Sequence, residues 1–239
     1  MVSVDTVYQR VLAITNKEQR GYITPQEFNL LANQAQSEIF EDYFAQMSAL
    51  LINTEAIRNE SEYYDAVKSL DEKVNLFKTR ANLIYSNPFF LYPDDMHKLG
   101  TLWRANNNLL ENGVEIEEIT ENELLDYYQS PLTKPNHSRP LYIRSEENIR
   151  VISTPVIATG VIATYIRKPR GTYHTGVTTP TVDWAYVVTN GQAMYNASDS
   201  SNFELHESEE TLLVIKILEL AGIVIQRADL ITVAQQKQQ

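Results

Sequence analysis

The chain contains no cysteine, which excludes a disulfide framework and any thiolate-held metal. Only 8 of its 239 residues are glycine, and no phosphate-cradling glycine loop is among them. Its four histidines, His97, His137, His174 and His206, lie far apart, each without a neighbour at metal-ligand spacing. His-Glu-x-x-His and nucleophile-elbow motifs are missing too. No stretch reaches the roughly 18 apolar residues that a membrane-spanning helix needs, and no signal-peptide pattern is visible. The sequons starting at Asn59, Asn136 and Asn196 then count as chance matches. Basic residues are in deficit, 20 Lys plus Arg against 31 Asp plus Glu, for a net charge of −11. Such a surface repels free nucleic acid, which argues against tight sequence-reading DNA binding but permits passing contact. A chain this long buries roughly 70–75% of its unfolded surface, so it needs no covalent staple.

The most informative segment present is Gly21-Tyr22-Ile23-Thr24-Pro25-Gln26-Glu27-Phe28. Thr24 and Glu27 stand at capping-box spacing, and Pro25 falls on the first helical position, where its missing N–H costs nothing. Beyond them Phe28, Leu31, Ala32, Ala35, Ile39, Tyr43 and Met47 recur at three- and four-residue steps. They predict one apolar stripe on a helix over 24–52, with Asn29, Asn33, Gln36, Glu38 and Asp42 off that stripe. The segment also fits an EF-hand frame with Gly21 sixth and Glu27 twelfth. The ligands fail, because Arg20 takes the fifth position and Asn16 replaces the first carboxylate. A turn feeding a capped helix is the better reading.

Periodicity predicts further helices over 3–16, with Val4, Val7, Tyr8, Val11 and Leu12 on one side, and over 60–84. Past Asn87-Pro88 short β-rich runs appear at 89–92, 99–104, 141–144, 149–153, 161–167 and 184–188, interrupted by a short helix near 121–128. Glu115, Glu117 and Glu118 alternate with apolar residues like the wet face of an edge strand. Strand 161–167 reads as covered on both faces. Ser208 is the expected N-cap of a C-terminal helix, apolar nearly all round from Leu212 to Ile225 and therefore buried. The expected fold class is α+β: N-terminal helices and a C-terminal helix form a helical layer, with a β-rich middle segment. The expected regions are 1–86 helical, 87–200 β-rich, and 201–239 returning to the N-terminal helices before a polar tail.

No constellation of catalytic residues emerges, and the sequence reads as a non-enzyme without cofactor or metal. Asp94-Asp95 with His97 is the nearest cluster, but it follows Pro93 and reads as a turn. The main basic knot is Arg167, Lys168 and Arg170, running into the Thr- and Gly-rich stretch 171–181 that carries Tyr173 and His174. These five residues are the candidate contact with an acidic partner or a phosphate.

Three stretches together resemble virion proteins of tailed bacteriophages. They are GYITPQEFNLLANQAQSEIFEDYF at 21–44, VIATYIRKPRG at 161–171 and NFELHESEETLLVIKILELAGI at 202–223. The resemblance is closest to ring, or head-to-tail connector, proteins of crAss-like phages, of the short-tailed podovirus type. It covers about a quarter of the chain, in order from end to end. It implies a ring, usually of twelve copies, beneath the portal protein and beside other ring or tail proteins, through which double-stranded DNA passes. Localisation would be the virion, assembled in the host cytoplasm, with no membrane and no catalytic residues. Twelve copies at −11 each would carry roughly −130, a wall that does not trap DNA if much of it lines the channel. The polar tail after Leu230 would order on a neighbour. A tail hub or minor head protein is the alternative structural role, and an intracellular enzyme or regulator the more distant one.

Overall fold

A computed structural model describes residues 1–17, 23–52, 60–106, 109–170, 182–189 and 191–222. It opens with three helices, α1 (Val4–Lys17), α2 (Pro25–Ile52) and α3 (Glu60–Asn75). Strands β1 (Lys78–Asn82), β2 (Ile84–Ser86), β3 (Phe89–Leu91), β4 (Met96–Asn106) and β5 (Leu109–Glu118) follow. Helix α4 (Leu124–Gln129) precedes β6 (Leu141–Arg144), β7 (Asn148–Ile152) and β8 (Val161–Arg167). A hairpin of β9 (Tyr186–Thr189) and β10 (Gln192–Tyr195) leads to α5 (Glu210–Leu220). The fold is α+β with a large central sheet, as expected. Two compact units result: Met1–Leu76 with Pro169–Gln239, and Phe77–Lys168.

In the helical unit α2 is the spine, packing on α3 and on α5, which also meets α1. Its capping box forms as expected. The Thr24 amide and hydroxyl donate to Glu27 Oε2 at 3.0 and 2.8 Å, and the Glu27 amide donates to Thr24 Oγ1 at 3.3 Å. Phe28, Ala32, Ala35, Ile39 and Tyr43 are buried, as the stripe predicts. Phe40 is buried as well, and so is Gln36 at 4% exposure, although it lies off the predicted stripe. Of the EF-hand frame, 16–27, residues 18–22 lie outside the described residues, but its twelfth position, Glu27, already serves the cap.

Three other expectations need correction within these elements. Helix α3 stops at Asn75 rather than 84, because Lys78–Asn82 alternates exposed and half-buried residues and pairs antiparallel with β8. Ser208 is not an N-cap: His206 Nδ1 accepts from the Ser208 amide at 3.3 Å and caps a 3-10 turn, Glu207–Glu209, that precedes α5. Strand β5 keeps Glu115, Glu117 and Glu118 exposed yet is not an edge, since β4 lies on one side and β6 pairs with it in parallel on the other.

The second unit is a sheet of order β1-β8-β4-β5-β6-β7-β3-β2. Its two end strands, β1 and β2, are consecutive in the chain and separated only by Leu83. One bent segment therefore carries both ends of the sheet, pairing with β8 through its first half and with β3 through its second. Through that segment the sheet closes on itself as a small barrel, and among the described residues it leaves no long unpaired edge. Leu83, Phe90, Leu102, Ile116, Tyr142, Ile149, Ile157, Val161, Ala163 and Tyr165 form one buried cluster inside it. Side chains fill a barrel of this size. The chain enters and leaves at one place, where the Arg167 amide donates to the Phe77 carbonyl at 3.0 Å.

Candidate functional site

The basic knot expected at 167–170 is divided between the two units. Arg167 ends β8, with its guanidinium 5.9 Å from the Phe77 ring centroid, a cation–π distance. The Lys168 amide donates to the Asp95 carbonyl at 2.8 Å. Both residues thus close the barrel. Arg170 belongs to the helical unit, where its amide donates to Glu204 Oε2 at 2.8 Å. Tyr173 and His174, with the whole of 171–181, lie outside the described residues. Asp94 and Asp95 form the expected turn, and Asp95 Oδ1 accepts from the Tyr165 hydroxyl at 3.0 Å. Among the described residues no group of three or more His, Asp or Glu is placed to hold a metal ion. No described helix is long and apolar enough to cross a membrane.

The barrel carries a groove of about 770 Å³ over β1, β8 and β4, lined among others by Lys78, Arg80, Thr101, Trp103 and Thr164. Its floor is a β-bulge. Leu99 faces Tyr165 and Leu102 faces Ala163, so Gly100 and Thr101 together oppose Thr164. The Thr101 amide donates to Thr164 Oγ1, which donates on to the Thr101 carbonyl, both at 3.0 Å. Trp103 Nε1 donates to Thr101 Oγ1 at 2.9 Å. A Cβ on Gly100 would stand 2.9 Å from the Thr164 carbonyl oxygen, so only glycine fits. This hydroxyl network holds the bulge; none of its bonds links a hydroxyl to a base that would make it a nucleophile.

An adjoining groove of about 550 Å³ is lined by Glu115, Glu117, Glu118 and Tyr142. The Tyr142 hydroxyl donates to Glu118 Oε2 at 2.8 Å. Burial, and then that carboxylate, push the phenol above its ordinary range. It stays protonated at neutral pH and acts as a donor, not a base.

The helical unit offers the most acid–base-like set, Lys73 against Glu209 at 2.6 Å with Tyr43 beside them. Glu209 is 6% exposed. Burial, with Glu209 second, raises the Tyr43 phenol above its usual range. The pair joins α3 to the turn before α5 and serves as a tie.

Sequence reasoning missed two features of this unit. Along the polar side of α2, Asn29, Asn33 and Gln36 grip extended backbone. The Val182 amide donates to Asn33 Oδ1 at 2.9 Å while Asn33 Nδ2 donates to the Val182 carbonyl at 2.8 Å. The Trp184 amide donates to Asn29 Oδ1, and the Glu204 amide to Gln36 Oε1, each at 2.9 Å. Spacing at i, i+4 and i+7 on one helix side was the available signal.

The other feature is the β9–β10 hairpin, in which Val187 faces Met194 and Val188 faces Ala193. Its root is an aromatic stack. The Trp184 ring lies 5.9 Å from Tyr186, 5.7 Å from Tyr195 and 4.3 Å from Tyr8. Trp184 Nε1 donates to Asp5 Oδ1 at 3.0 Å. Beyond that root Val187, Val188 and Met194 are 53%, 64% and 57% exposed. The sequence signal was Asn190-Gly191 between two short apolar runs, 186–188 and 193–195.

On the same unit an apolar groove of about 230 Å³ runs between α1 and α5, lined by Arg10, Ala13, Ile14, Thr211, Val214, Ile215 and Leu218. Its single charged lining residue, Arg10, is paired with Glu210 at 3.0 Å. The chain matches no family model and no curated protein.

Proposed function

We propose that the chain is a structural virion protein that forms a ring in the head-to-tail connector of a tailed phage, beneath the portal, extending the channel for DNA. The observation that carries this reading is the ordered resemblance of segments 21–44, 161–171 and 202–223. Two of those segments are bonded to one another in the helical unit. Gln36 accepts from the Glu204 amide at 2.9 Å, and Lys216 pairs with Glu38 at 3.2 Å. Those two segments therefore lie in one packed body, which favours a shared architecture over scattered likeness, while most of the third, 161–168, belongs to the barrel.

The sites support a binding role over a chemical one. The polar clusters described above are engaged in capping, bulge closure and inter-element ties, while the least satisfied surface is apolar. The test is quantitative proteomics of purified particles. About twelve copies per virion, as the resemblance implies, would support the ring. A copy number fitting a tail hub or minor head protein would move the chain to that role, and absence from the particle would end the reading.

A further inference from the structure

We infer that copies of this chain join head to tail, with the β9–β10 hairpin of one copy seated in the α1/α5 groove of the next. The inference takes from the ring reading only that copies of the chain meet. Its own basis is a pair of complementary features on one unit.

A lone two-stranded hairpin is marginal in water. This one exposes Val187, Val188 and Met194 beyond an anchored root. Among the described residues no third strand pairs with its edges, and such edges invite contact. The groove is the converse shape, a concave strip with Val214 and Leu218 in its lining.

Charge selects the partner. No residue from Trp184 to Ser198 is charged, and the one charge in the groove lining is neutralised by Glu210. Two chains carrying −11 each repel over most of their surface, so they meet best where neither presents charge. A second copy satisfies both surfaces at once. Since knob and groove are different patches, the contact is heterologous and propagates, closing into a ring where the rotation allows.

The absence of cysteine makes the test clean. Ala13→Cys in the groove and Val188→Cys on the hairpin are made as separate chains, one isotope-labelled, then mixed with a short bis-maleimide. Mass spectrometry is expected to find the mixed dimer about tenfold above a control pairing V188C with K134C, because the contact raises local concentration. Adding Val187→Asp, at a position 53% exposed, to the V188C chain should abolish the excess while circular dichroism stays unchanged. No excess over control overturns the inference. So does an excess that appears only after residues 223–239 are deleted, since the chain's own C-terminal segment would then be the occupant. Twelve copies per virion without the cross-link would leave the ring standing and remove this contact. The cross-link in a chain absent from particles would do the reverse.

Discussion

In the helical unit, Val182, Trp184 and Glu204 take their backbone hydrogen bonds from side chains of α2. In the barrel, backbone bonds run from strand to strand around a closed circuit. Both units bury an apolar interior, but they satisfy extended chain by different means. A closed sheet supplies its own partners, whereas a helix has spent its amides internally and offers only side chains. The helical unit consequently depends on residue identity at a few polar positions. The barrel depends on register and on the single glycine that its bulge requires.

The sharpest way to break this contrast is to empty each interior separately. Phe28 is fully buried, with its ring 4.7 Å from Tyr8, and Phe28→Ala should cost about 3–5 kcal/mol. Leu102, equally buried in the barrel, should cost about 2–5 kcal/mol when cut to alanine. The chain joins the units only at 76–77 and 168–169, so each variant is expected to lower one step of a urea transition. Tryptophan fluorescence can separate the steps, because Trp103 reports the barrel and Trp184 the helical unit. A single step that both variants shift equally would show the two to be one cooperative body.

A comparable effect tests whether the helical unit relies on charge as well. Lys73→Ala strands the Glu209 carboxylate, which is 6% exposed and bonded at 2.6 Å in the parent. Breaking one partner of a buried pair costs about 3 kcal/mol or more. Replacing both residues with apolar ones of similar size should recover most of it. A double-mutant cycle read by denaturation decides this, and additivity of the two changes would show that the pair does not act as a tie.

Much of this was legible in advance, and the parts that were not share a cause. Thr24, Pro25 and Glu27 act on neighbours three residues away, so the start of α2 could be read directly. The strand Val161–Arg167 has the expected bounds because it is rich in β-branched and aromatic residues. Asn29, Asn33 and Gln36 read only as polar residues off the stripe, because their partners lie about 150 residues or more along the chain. Nothing in a polar side chain announces a distant backbone. Closure of the barrel was hidden for the same reason: the bend at Leu83 joins strands whose pairing partners are β8 and β3. As for the candidate site, Arg167, Lys168 and Arg170 looked like one patch because they are adjacent in sequence. The boundary at 168–169 divides them.

Next in size come the two positions that define the contrast. Asn33→Ala leaves the Val182 amide and carbonyl without their partner and should cost about 1–3 kcal/mol. Asn33→Asp keeps an acceptor for the amide but loses the donor to the carbonyl, so its cost should fall below that of alanine. In the barrel Gly100→Val drives a side chain against the Thr164 carbonyl oxygen and should cost about 1–3 kcal/mol. Hydrogen exchange is the useful readout. Asn33 variants should lose protection at 182–184, and Gly100→Val along β4 and β8. Loss spread evenly over both units in either case would deny that each mode of satisfaction is local.

The smallest expected effect concerns a carboxylate the helical unit tolerates. Asp183 pairs through its backbone with Ser201, at 3.1 and 2.8 Å, and its side chain accepts from Asn29 Nδ2. Burial raises its pKa above the ordinary 3.8. The folded state therefore holds this proton more tightly than the unfolded chain. Its favourable contribution is complete below 3.8 and declines as pH rises through the raised folded value. Asp183→Asn removes that charge and keeps an oxygen for Asn29, so it should be more stable than the parent at neutral pH by less than about 1 kcal/mol. The advantage should widen as pH climbs from below 3.8 and then level off. Urea midpoints across the acid range measure it. An advantage that shrinks with rising pH would mean that Asn29 grips the ionised form, making Asp183 a working part of the clamp on α2.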